Sequence, residues 1–340
     1  MPQDNRRVIV IGASAGGVEA LRVLVSRLPP DLAAPVAVVL HVGAQSILPQ
    51  LLAAAGPLPA RHGQNGEALR PGTIYVAPPG THLLVHDGHL MLRRGARENL
   101  ARPAIDPLFR SAACSFGAGT IGVVLTGALN DGSAGLVAIK RCGGTAIVQE
   151  PGEAPFPEMP LSALRHVAVD ACLPLDGIAD ELARRAAAPP GPTPEIPMDV
   201  RLEAAIAAQE HATMSDEDEL GILSPFTCPE CQGPLWQIDD AVMLRYRCHV
   251  GHAYTADAML EAQAGEAEAI LWKLLRARQQ RAELARRVAD REIDLRPTLA
   301  AHFRSRAKEY DEDAELVRRM LMGRAGHFDE AGLTAETDKG

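Results

Sequence analysis

The chain has 340 residues, 47% of them hydrophobic and 23% charged, which is a globular composition longer than one core usually supports, so more than one domain is expected. The formal net charge of −9 sits in the C-terminal part: residues 1–190 hold 16 Lys and Arg against 15 Asp and Glu, residues 191–340 hold 18 against 28. That balance argues against nucleic acid as a partner, which would need a basic face, and no apolar run nears the roughly 20 residues required to cross a bilayer.

The short N-terminus runs directly into a strand-like segment and leaves no room for a secretory leader, so a cytoplasmic protein without membrane insertion is expected. Val8–Ile11 is a β-branched run closed by Gly12, followed by the amphipathic stretch Val18–Arg27, which Pro29-Pro30 ends. Val36–Leu40 is a second such run. Thr73–Ala77 and the pair Leu83–His86 and Leu90–Arg93 read differently: Asp87-Gly88 signals a tight hairpin, so an antiparallel piece is expected near one edge. Ile121–Leu125, the helical pattern Ser133–Arg141 and the run Thr145–Gln149 restore the alternation. Continuous apolar strands separated by helices predict a doubly wound, mostly parallel α/β sheet over residues 1–188.

Residues 189–198 are proline-rich and form a linker. Residues 199–224 hold a short helix, Asp199–Thr213, and the acidic stretch Asp216–Glu219. A cysteine cluster occupies 225–254. Residues 255–323 read as a helical hairpin, Ala256–Asp294 and then a second helix to about Met322, broken at Pro297, with a tail over 324–340. Leu260, Ala267, Leu271, Leu274, Leu275, Ala282 and Ala285 mark its apolar stripe, which suits self-packing or a partner helix.

Chemistry concentrates at Ile9-Val-Ile-Gly12-Ala-Ser14-Ala-Gly16-Gly17, a strand turning into a helix. A dinucleotide fingerprint would need glycine at position 14 and an acid after the second strand, where serine and His41 stand instead. Gly12-Ala-Ser14-Ala-Gly16 fits the G-x-S-x-G elbow, whose sharp turn exposes a serine and frees backbone N–H groups for an oxyanion. A helix cap is the competing role for Ser14. A nucleophilic serine needs a base and an orienting acid. His41 directly follows the second strand, and Asp131 follows Ile121–Leu125, so both fall at the carboxyl edge where open α/β sheets bind ligands. The order Ser–His–Asp differs from the α/β-hydrolase order, in which the acid precedes the histidine. His62, His82, His86, His89 and His166 have no such companions and read as surface or core residues. Cys114, Cys142 and Cys172 read as buried, reduced thiols.

At these residues the sequence resembles the catalytic domain of the chemotaxis protein-glutamate methylesterases (CheB-type), over residues 8 to about 183. The resemblance rests on Gly12-Ala-Ser14-Ala-Gly16-Gly17, the strand ending in His41, Arg102-Pro-Ala-Ile-Asp106-Pro-Leu-Phe109, Leu125-Thr-Gly-Ala-Leu-Asn130-Asp131-Gly132-Ser-Ala-Gly135 and Met159-Pro160. It implies that Ser14 is the nucleophile, His41 the base and Asp131 the acid. Ala15, Gly16, Gly17, Arg102, Asp106, Asn130 and Met159 become candidates for substrate or oxyanion contacts. For Arg102 and Asp106, a loop salt bridge with helix capping is the alternative. The implied reaction hydrolyses glutamate γ-methyl esters on methylated receptor helices with release of methanol, with glutamine deamidation in some members. Many members place a phospho-accepting receiver domain before the catalytic one; here seven residues precede the first strand, so that control is expected to be absent. Gly127-Ala-Leu129 stands where a methionine is frequent, and Val42-Gly-Ala follows His41 in place of a methionine-proline loop.

Cys228-Pro-Glu-Cys231, sixteen residues, then Cys248-His-Val-Gly-His252 forms a ribbon-like pattern for a structural Zn²⁺, with His252 as fourth ligand and His249 as the other option. Trp236 and Leu244-Arg-Tyr-Arg suit the hairpin between the knuckles. A fully protein-ligated ion does no chemistry, so this part is expected to present a surface to the substrate protein or a regulatory protein. The rival to an esterase is a signalling adaptor with a degenerate esterase fold.

Overall fold

A computed structural model describes residues 6–41, 43, 46–209, 220–239 and 242–325. The expected acidic stretch Asp216–Glu219, the end of the helix reaching Thr213, most of the loop after His41 and nearly all of the tail lie outside the described residues.

Seven parallel strands form the main sheet. In chain order they are β1 (Val8–Ala13), β2 (Val36–Leu40), β3 (Ala60–His62), β4 (Ile74–Val76), β7 (Thr120–Val124), β8 (Thr145–Gln149) and β9 (Ala171–Leu173), arranged β3-β4-β2-β1-β7-β8-β9. The hairpin β5 (His82–His86) and β6 (His89–Arg93) forms its own antiparallel pair around Asp87-Gly88, with Asp87 at φ 46° and Gly88 at φ 77°. The segment 73–77, grouped with that hairpin by its sequence, instead enters the parallel sheet as β4, between β2 and β3. Three residues carry too little periodicity to distinguish the two.

Alternate residues of β1 feed two cores, as a period-2 strand covered on both faces must. Ile9 and Ile11 join Leu21, Leu24 and Val25 of α1 (Gly17–Ser26) and Ile178 and Leu182 of α6 (Leu175–Ala187) on one face. Val8 and Val10 join Leu108 and Phe109 of α3 (Ile105–Phe116) and Leu136 and Ile139 of α4 (Ser133–Arg141) on the other. Each such fully buried aliphatic side chain contributes about 1.5–3 kcal/mol. Helices α2 (Leu48–Ala55) and α5 (Glu158–His166) complete the layers.

Of the isolated thiols, Cys142 is buried, Cys114 half-buried and Cys172 exposed at β9, a correction to the expectation for that residue. An edge strand of three residues cannot cover both of its faces.

The structure divides into two compact units at Leu260/Glu261, so residues 199–260 belong with the α/β domain. Helix α7 (Met198–Ala208) and the antiparallel sheet β10 (Ile222–Thr227), β11 (Pro234–Asp239), β12 (Leu244–Cys248) and β13 (Ala253–Thr255) pack into the first unit. Val200 of α7 enters the core beside Leu108 and Phe109, Ile206 packs on Ile238 of β11, and a buried charge cluster adds to these contacts. Glu98 and Arg110 of the α/β domain, Glu203 of α7, and Arg245 and Arg247 of β12 are all buried together. Arg110 pairs with Glu98, Arg245 Nη1 lies 2.8 Å from Glu203, and Arg247 Nη2 reaches Glu203 at 3.0 Å and Glu98 at 3.3 Å. Burial alone would raise the Glu98 and Glu203 carboxyls, but Arg110 and Arg247 hold the first, and Arg245, Arg110 and Arg247 the second, below the usual range. The alternation Leu244-Arg-Tyr-Arg therefore turns its arginines inward.

The second unit consists of α8 (Ala256–Glu292), from Glu261 onward, and α9 (Pro297–Ala325). Leu275, Ala314, Val317 and Leu321 form its apolar seam, and Arg286 pairs with Asp311 across the two helices at 2.6 Å. Leu274, assigned to the stripe by its spacing, is 40% exposed, because two antiparallel helices bury a narrower face than the sequence offers. Among the described residues no helix is long and apolar enough to cross a membrane.

Candidate active site

The site sits where the chain switches direction across the sheet. β1 is flanked by β2 on one side and β7 on the other, so the loops leaving these strands diverge above the carboxyl edge and open a crevice. Ser14 follows β1, His41 follows β2, and Asp131 lies between β7 and α4.

Gly16 turns the chain at φ 73°, and Gly17 lets α1 approach β1 and β2: a Cβ there would lie 2.6 Å from Leu40 and 2.7 Å from Ala13. Gly16 occupies the cap position of α1, and no side chain caps that helix, so Ser14 is not used as a cap. Its Oγ lies 3.1 Å from His41 Nδ1. His41 Nε2 lies 2.8 Å from Asp131 Oδ2. An ionised carboxylate only accepts, so the ring proton belongs on Nε2 and Nδ1 is left to accept from the serine hydroxyl. His41 is 22% exposed and Asp131 2%: the imidazole faces the crevice and the acid lies beneath it.

Asp131 accepts five donations in all. Its Oδ2 accepts Ile105 N–H at 2.7 Å; its Oδ1 accepts Asp106 N–H at 3.2 Å, Gly132 N–H at 3.0 Å and the Asn99 side-chain amide at 3.0 Å. The fifth is His41 itself. Ile105 and Asp106 open α3, so the carboxylate rests on a helix N-terminus, where backbone N–H groups and the dipole favour negative charge. Burial works to raise this carboxyl, but His41, Ile105 N–H and Asn99 outweigh it and hold Asp131 below its ordinary value. Asp106, buried beside it, is pushed up to about 7 by burial and by the charge of Asp131.

A cleft of about 490 Å³ opens beside His41, lined by Arg97, Asn99, Leu100, Arg102 and Leu129 among others. Leu129 has φ 63°, Asn99 φ 49° and Leu100 φ 65°, a cluster of left-handed non-glycine residues around one opening. His82 braces the cleft wall from behind: Nδ1 accepts Ala104 N–H at 3.2 Å and Nε2 donates to Ala96 O at 2.8 Å. Burial lowers its pKa, so it stays neutral in that role.

The remaining candidates divide. Ala15 and Gly16 lie at the turn, whereas the Gly17 N–H is donated to Ser14 O at 2.9 Å and is already engaged. Arg102 lines the cleft and donates Nη1 to Gly95 O at 2.7 Å; it makes no salt bridge with Asp106. Asp106 is turned inward, accepting Gly132 N–H at 3.0 Å, Gly135 N–H at 2.6 Å and the Asn99 amide at 2.8 Å, so it acts on the loops and not on the crevice. Asn130 is also turned away, its amide donated to Asp257 at 3.0 Å and its oxygen accepting Thr255 Oγ–H at 2.7 Å. Met159 is fully buried beneath Gly127, where a Cβ would lie 2.1 Å from its sulfur and 2.8 Å from Ser14 Cβ, so it supports the floor. Sequence reasoning missed Asn99; an asparagine in a polar loop gives no signal beyond a turn.

Cys228, Cys231, Cys248 and His252 converge so that one donor atom from each lies within 4.8 Å of the others. Cys231 Sγ and Cys248 Sγ are 3.7 Å apart, and His252 Nδ1 is 3.7 Å from Cys228 Sγ and 3.4 Å from Cys248 Sγ. A tetrahedron with Zn–S bonds near 2.3 Å has S···S edges of about 3.8 Å, so the set fits such an ion. His252 Nε2 meets Glu230 at 3.2 Å, the outer carboxylate that commonly orients a metal-bound imidazole. Among the described residues the set contains His252 and not His249.

Comparison with known proteins places the α/β part. Residues 9–182 match the CheB methylesterase family. A Leptospira interrogans protein is 39% identical over 187 residues, which are 53% of this chain and 95% of that protein. A protein-glutamate methylesterase/protein-glutamine glutaminase from Anaeromyxobacter dehalogenans is 42% identical over 181 residues, 52% of this chain and 53% of its own length. The crystal structure of the Thermotoga maritima CheB methylesterase catalytic domain superposes with a TM-score of 0.51 at 31% identity, covering 53% of this chain and 98% of that one.

Proposed function

The chain belongs to the CheB methylesterase family, and on that basis we propose that it is a serine hydrolase demethylating glutamate γ-methyl esters on helical, chemoreceptor-like proteins of the cytoplasm. The observation that supports this reading most is the line Ser14 Oγ–His41 Nδ1–Asp131 Oδ2, with steps of 3.1 and 2.8 Å at the sheet's switch point.

In this mechanism His41 Nδ1 takes the Ser14 proton as Oγ attacks the ester carbonyl. The resulting imidazolium is stabilised by Asp131, and the N–H groups of Ala15 and Gly16 receive the oxyanion. Collapse of the tetrahedral intermediate breaks the C–O bond to methoxide, which leaves as methanol with the proton from His41. Water, deprotonated by His41, then hydrolyses the acyl-Ser14 and restores the free glutamate and the serine. An amide with ammonia as leaving group follows the same path, which extends the proposal to glutamine deamidation. Leu129 and Arg102, on the cleft wall, are the residues set to meet the substrate helix.

The Cys228, Cys231, Cys248 and His252 set would hold a structural Zn²⁺, which would tie the two knuckles of the ribbon together. The second unit, α8 from Glu261 and α9, is the proposed contact for a regulatory protein: Ile270, Trp272 and Leu274 are exposed along one short stretch. Methanol release from a methylated helical receptor tests the reading. Wild type releases methanol and Ser14→Ala does not; equal rates for the two would remove the mechanism.

A further inference from the structure

The family match ends at residue 182, yet the candidate acid is supported from beyond it. Asn99 stands between the two. Its side-chain amide donates to Asp131 Oδ1 at 3.0 Å and to Asp106 Oδ2 at 2.8 Å, so both amide hydrogens are spent on buried carboxyls. Its side-chain oxygen accepts Thr255 N–H at 3.1 Å, from β13 of the ribbon. An asparagine amide has one way round that satisfies all three contacts, with nitrogen toward the two carboxyls and oxygen toward the N–H.

The backbone around Asn99 is fastened to the same strand. Asn99 N–H donates to Ala253 O at 2.8 Å, and Ala253 N–H donates to Arg97 O at 3.3 Å, so residues 97–99 extend the ribbon sheet by a short parallel step. Between them Glu98 is buried in the cluster with Arg110 and Arg247. Asn99 and Leu100 both sit at positive φ, an arrangement that costs a non-glycine residue about 1 kcal/mol or more and persists only where neighbours impose it. Here the two residues are the centre of a tight turn closed by Ala101 N–H to Glu98 O at 3.0 Å and Glu98 N–H to Ala101 O at 3.2 Å, and the ribbon holds that turn through Ala253. Asn130, the residue before the acid, is gripped by the same stretch through Thr255 Oγ and Asp257.

We propose that Asn99 is a positioning residue of the esterase site, oriented by strand β13, so that the ribbon supports both the acid and the cleft wall at Arg97–Arg102. The proposal rests on the esterase reading for its effect on rate, and on geometry alone for its effect on His41. Asp131 orients His41, and Asn99 holds the Asp131 oxygen that His41 does not use. Without Asn99 that oxygen keeps only the Asp106 and Gly132 N–H groups, so the carboxylate shifts and the imidazole follows, which slows the chemical step while leaving the substrate surface in place.

Four variants of the full chain test this. Asn99→Gly accepts the left-handed backbone but lacks the amide. Thr255→Pro removes the N–H that fixes Asn99 and, with it, the Oγ bond to Asn130; Thr255→Val removes only the Oγ bond and is its control. The fourth combines Asn99→Gly with Thr255→Pro. Two readouts are taken: initial rates of methanol release from a synthetic helical peptide carrying one glutamate γ-methyl ester, and the downfield imidazole N–H proton resonance of His41. Asn99→Gly is expected to lower kcat by about 10- to 100-fold with KM nearly unchanged, the range of a small misplacement of a reacting group. The His41 resonance moves in Asn99→Gly and in Thr255→Pro beyond any shift in Thr255→Val, and the double variant is slower than Asn99→Gly by no more than the Thr255→Val loss, because the Thr255 N–H acts through Asn99. An unmoved resonance in Asn99→Gly overturns the positioning role, and a double variant slower than Asn99→Gly by more than the Thr255→Val loss overturns the link to the ribbon. If wild type releases no methanol while the resonance still responds, the esterase reading fails and the positioning of His41 by Asn99 stands. Should Thr255→Pro not fold, the Asn99→Gly resonance decides alone.

Discussion

Asp131 accepts the backbone N–H of Ile105 at 2.7 Å on the same oxygen that faces His41. Ile105 is the first residue of α3, so the candidate acid is seated on a helix N-terminus while its neighbour Asp106, one residue on, binds the loop that carries Asp131. Each acid thus organises the backbone of the other's segment: Ile105 and Asp106 N–H groups serve Asp131, and Gly132 and Gly135 N–H groups serve Asp106.

This reciprocity predicts the outcome of Asp131→Asn. An asparagine at 131 must turn its NH₂ toward at least one set of donors, either His41 Nε2 and Ile105 N–H or Asn99 and Gly132 N–H. Either choice misorients the imidazole or opposes a buried donor. We expect kcat to fall by about 10⁴-fold, the loss that the wrong tautomer causes in serine triads, with a stability cost of about 1–3 kcal/mol. Steady-state rates and urea denaturation measure the two effects separately.

Asp106 governs how stability varies near neutrality. Its folded pKa of about 7 lies above the unfolded value of 3.8, so its contribution is complete below about pH 4 and is lost as pH rises through 7. Asp131 is lowered, so its contribution is already complete in that window and is lost only in acid. Urea midpoints should therefore fall from pH 5.5 to 7.5, with a slope no steeper than about 1.4 kcal/mol per pH unit. Asp106→Asn should flatten that slope while lowering stability throughout.

The buried cluster of Glu98, Arg110, Glu203, Arg245 and Arg247 links α7 and the ribbon to the α/β domain within the first unit. Removing the Glu203 charge leaves Arg245 and Arg247 short of a buried counter-ion. Glu203→Gln is expected to destabilise the first unit by about 3–5 kcal/mol. Near-UV circular dichroism in urea, which follows packed aromatics such as Tyr254 and Trp236, provides the measurement. A change below about 0.5 kcal/mol would mean that the cluster is solvated.

The cysteine set predicts a metal stoichiometry. Purified protein should carry one zinc per chain by elemental analysis, and Cys231→Ser or His252→Ala should lower that value and the thermal midpoint together. His249→Ala should leave the metal content unchanged. The result is independent of any esterase assay.

Long β-branched runs made most of the sheet legible in the sequence: β1, β2, β7 and β8 each present five or six buried residues in a row. The strands β3, β4 and β9 have three residues each, too few for a period to show. The grouping of Ser14, His41 and Asp131 at one edge could be reasoned from strand ends alone, since each residue directly follows or closely trails a recognisable strand. The supports of Asp131 could not. Asn99, Ile105 and Thr255 come from a loop, a helix start and a ribbon strand whose meeting depends on tertiary packing. The inward turn of Arg245 and Arg247 was equally hidden, because their partners Glu98 and Glu203 are distant in the chain and charge alone suggests solvent.

The proposed hydrolysis requires His41 to make the Ser14 hydroxyl nucleophilic. Reaction with a fluorophosphonate probe, followed by peptide mass spectrometry, tests it most directly. A single phosphonyl group per chain is expected on the peptide containing Ser14, absent in Ser14→Ala and formed at least about 100-fold more slowly in His41→Gln. Labelling at another residue, or labelling of Ser14 at the same rate without His41, would contradict it.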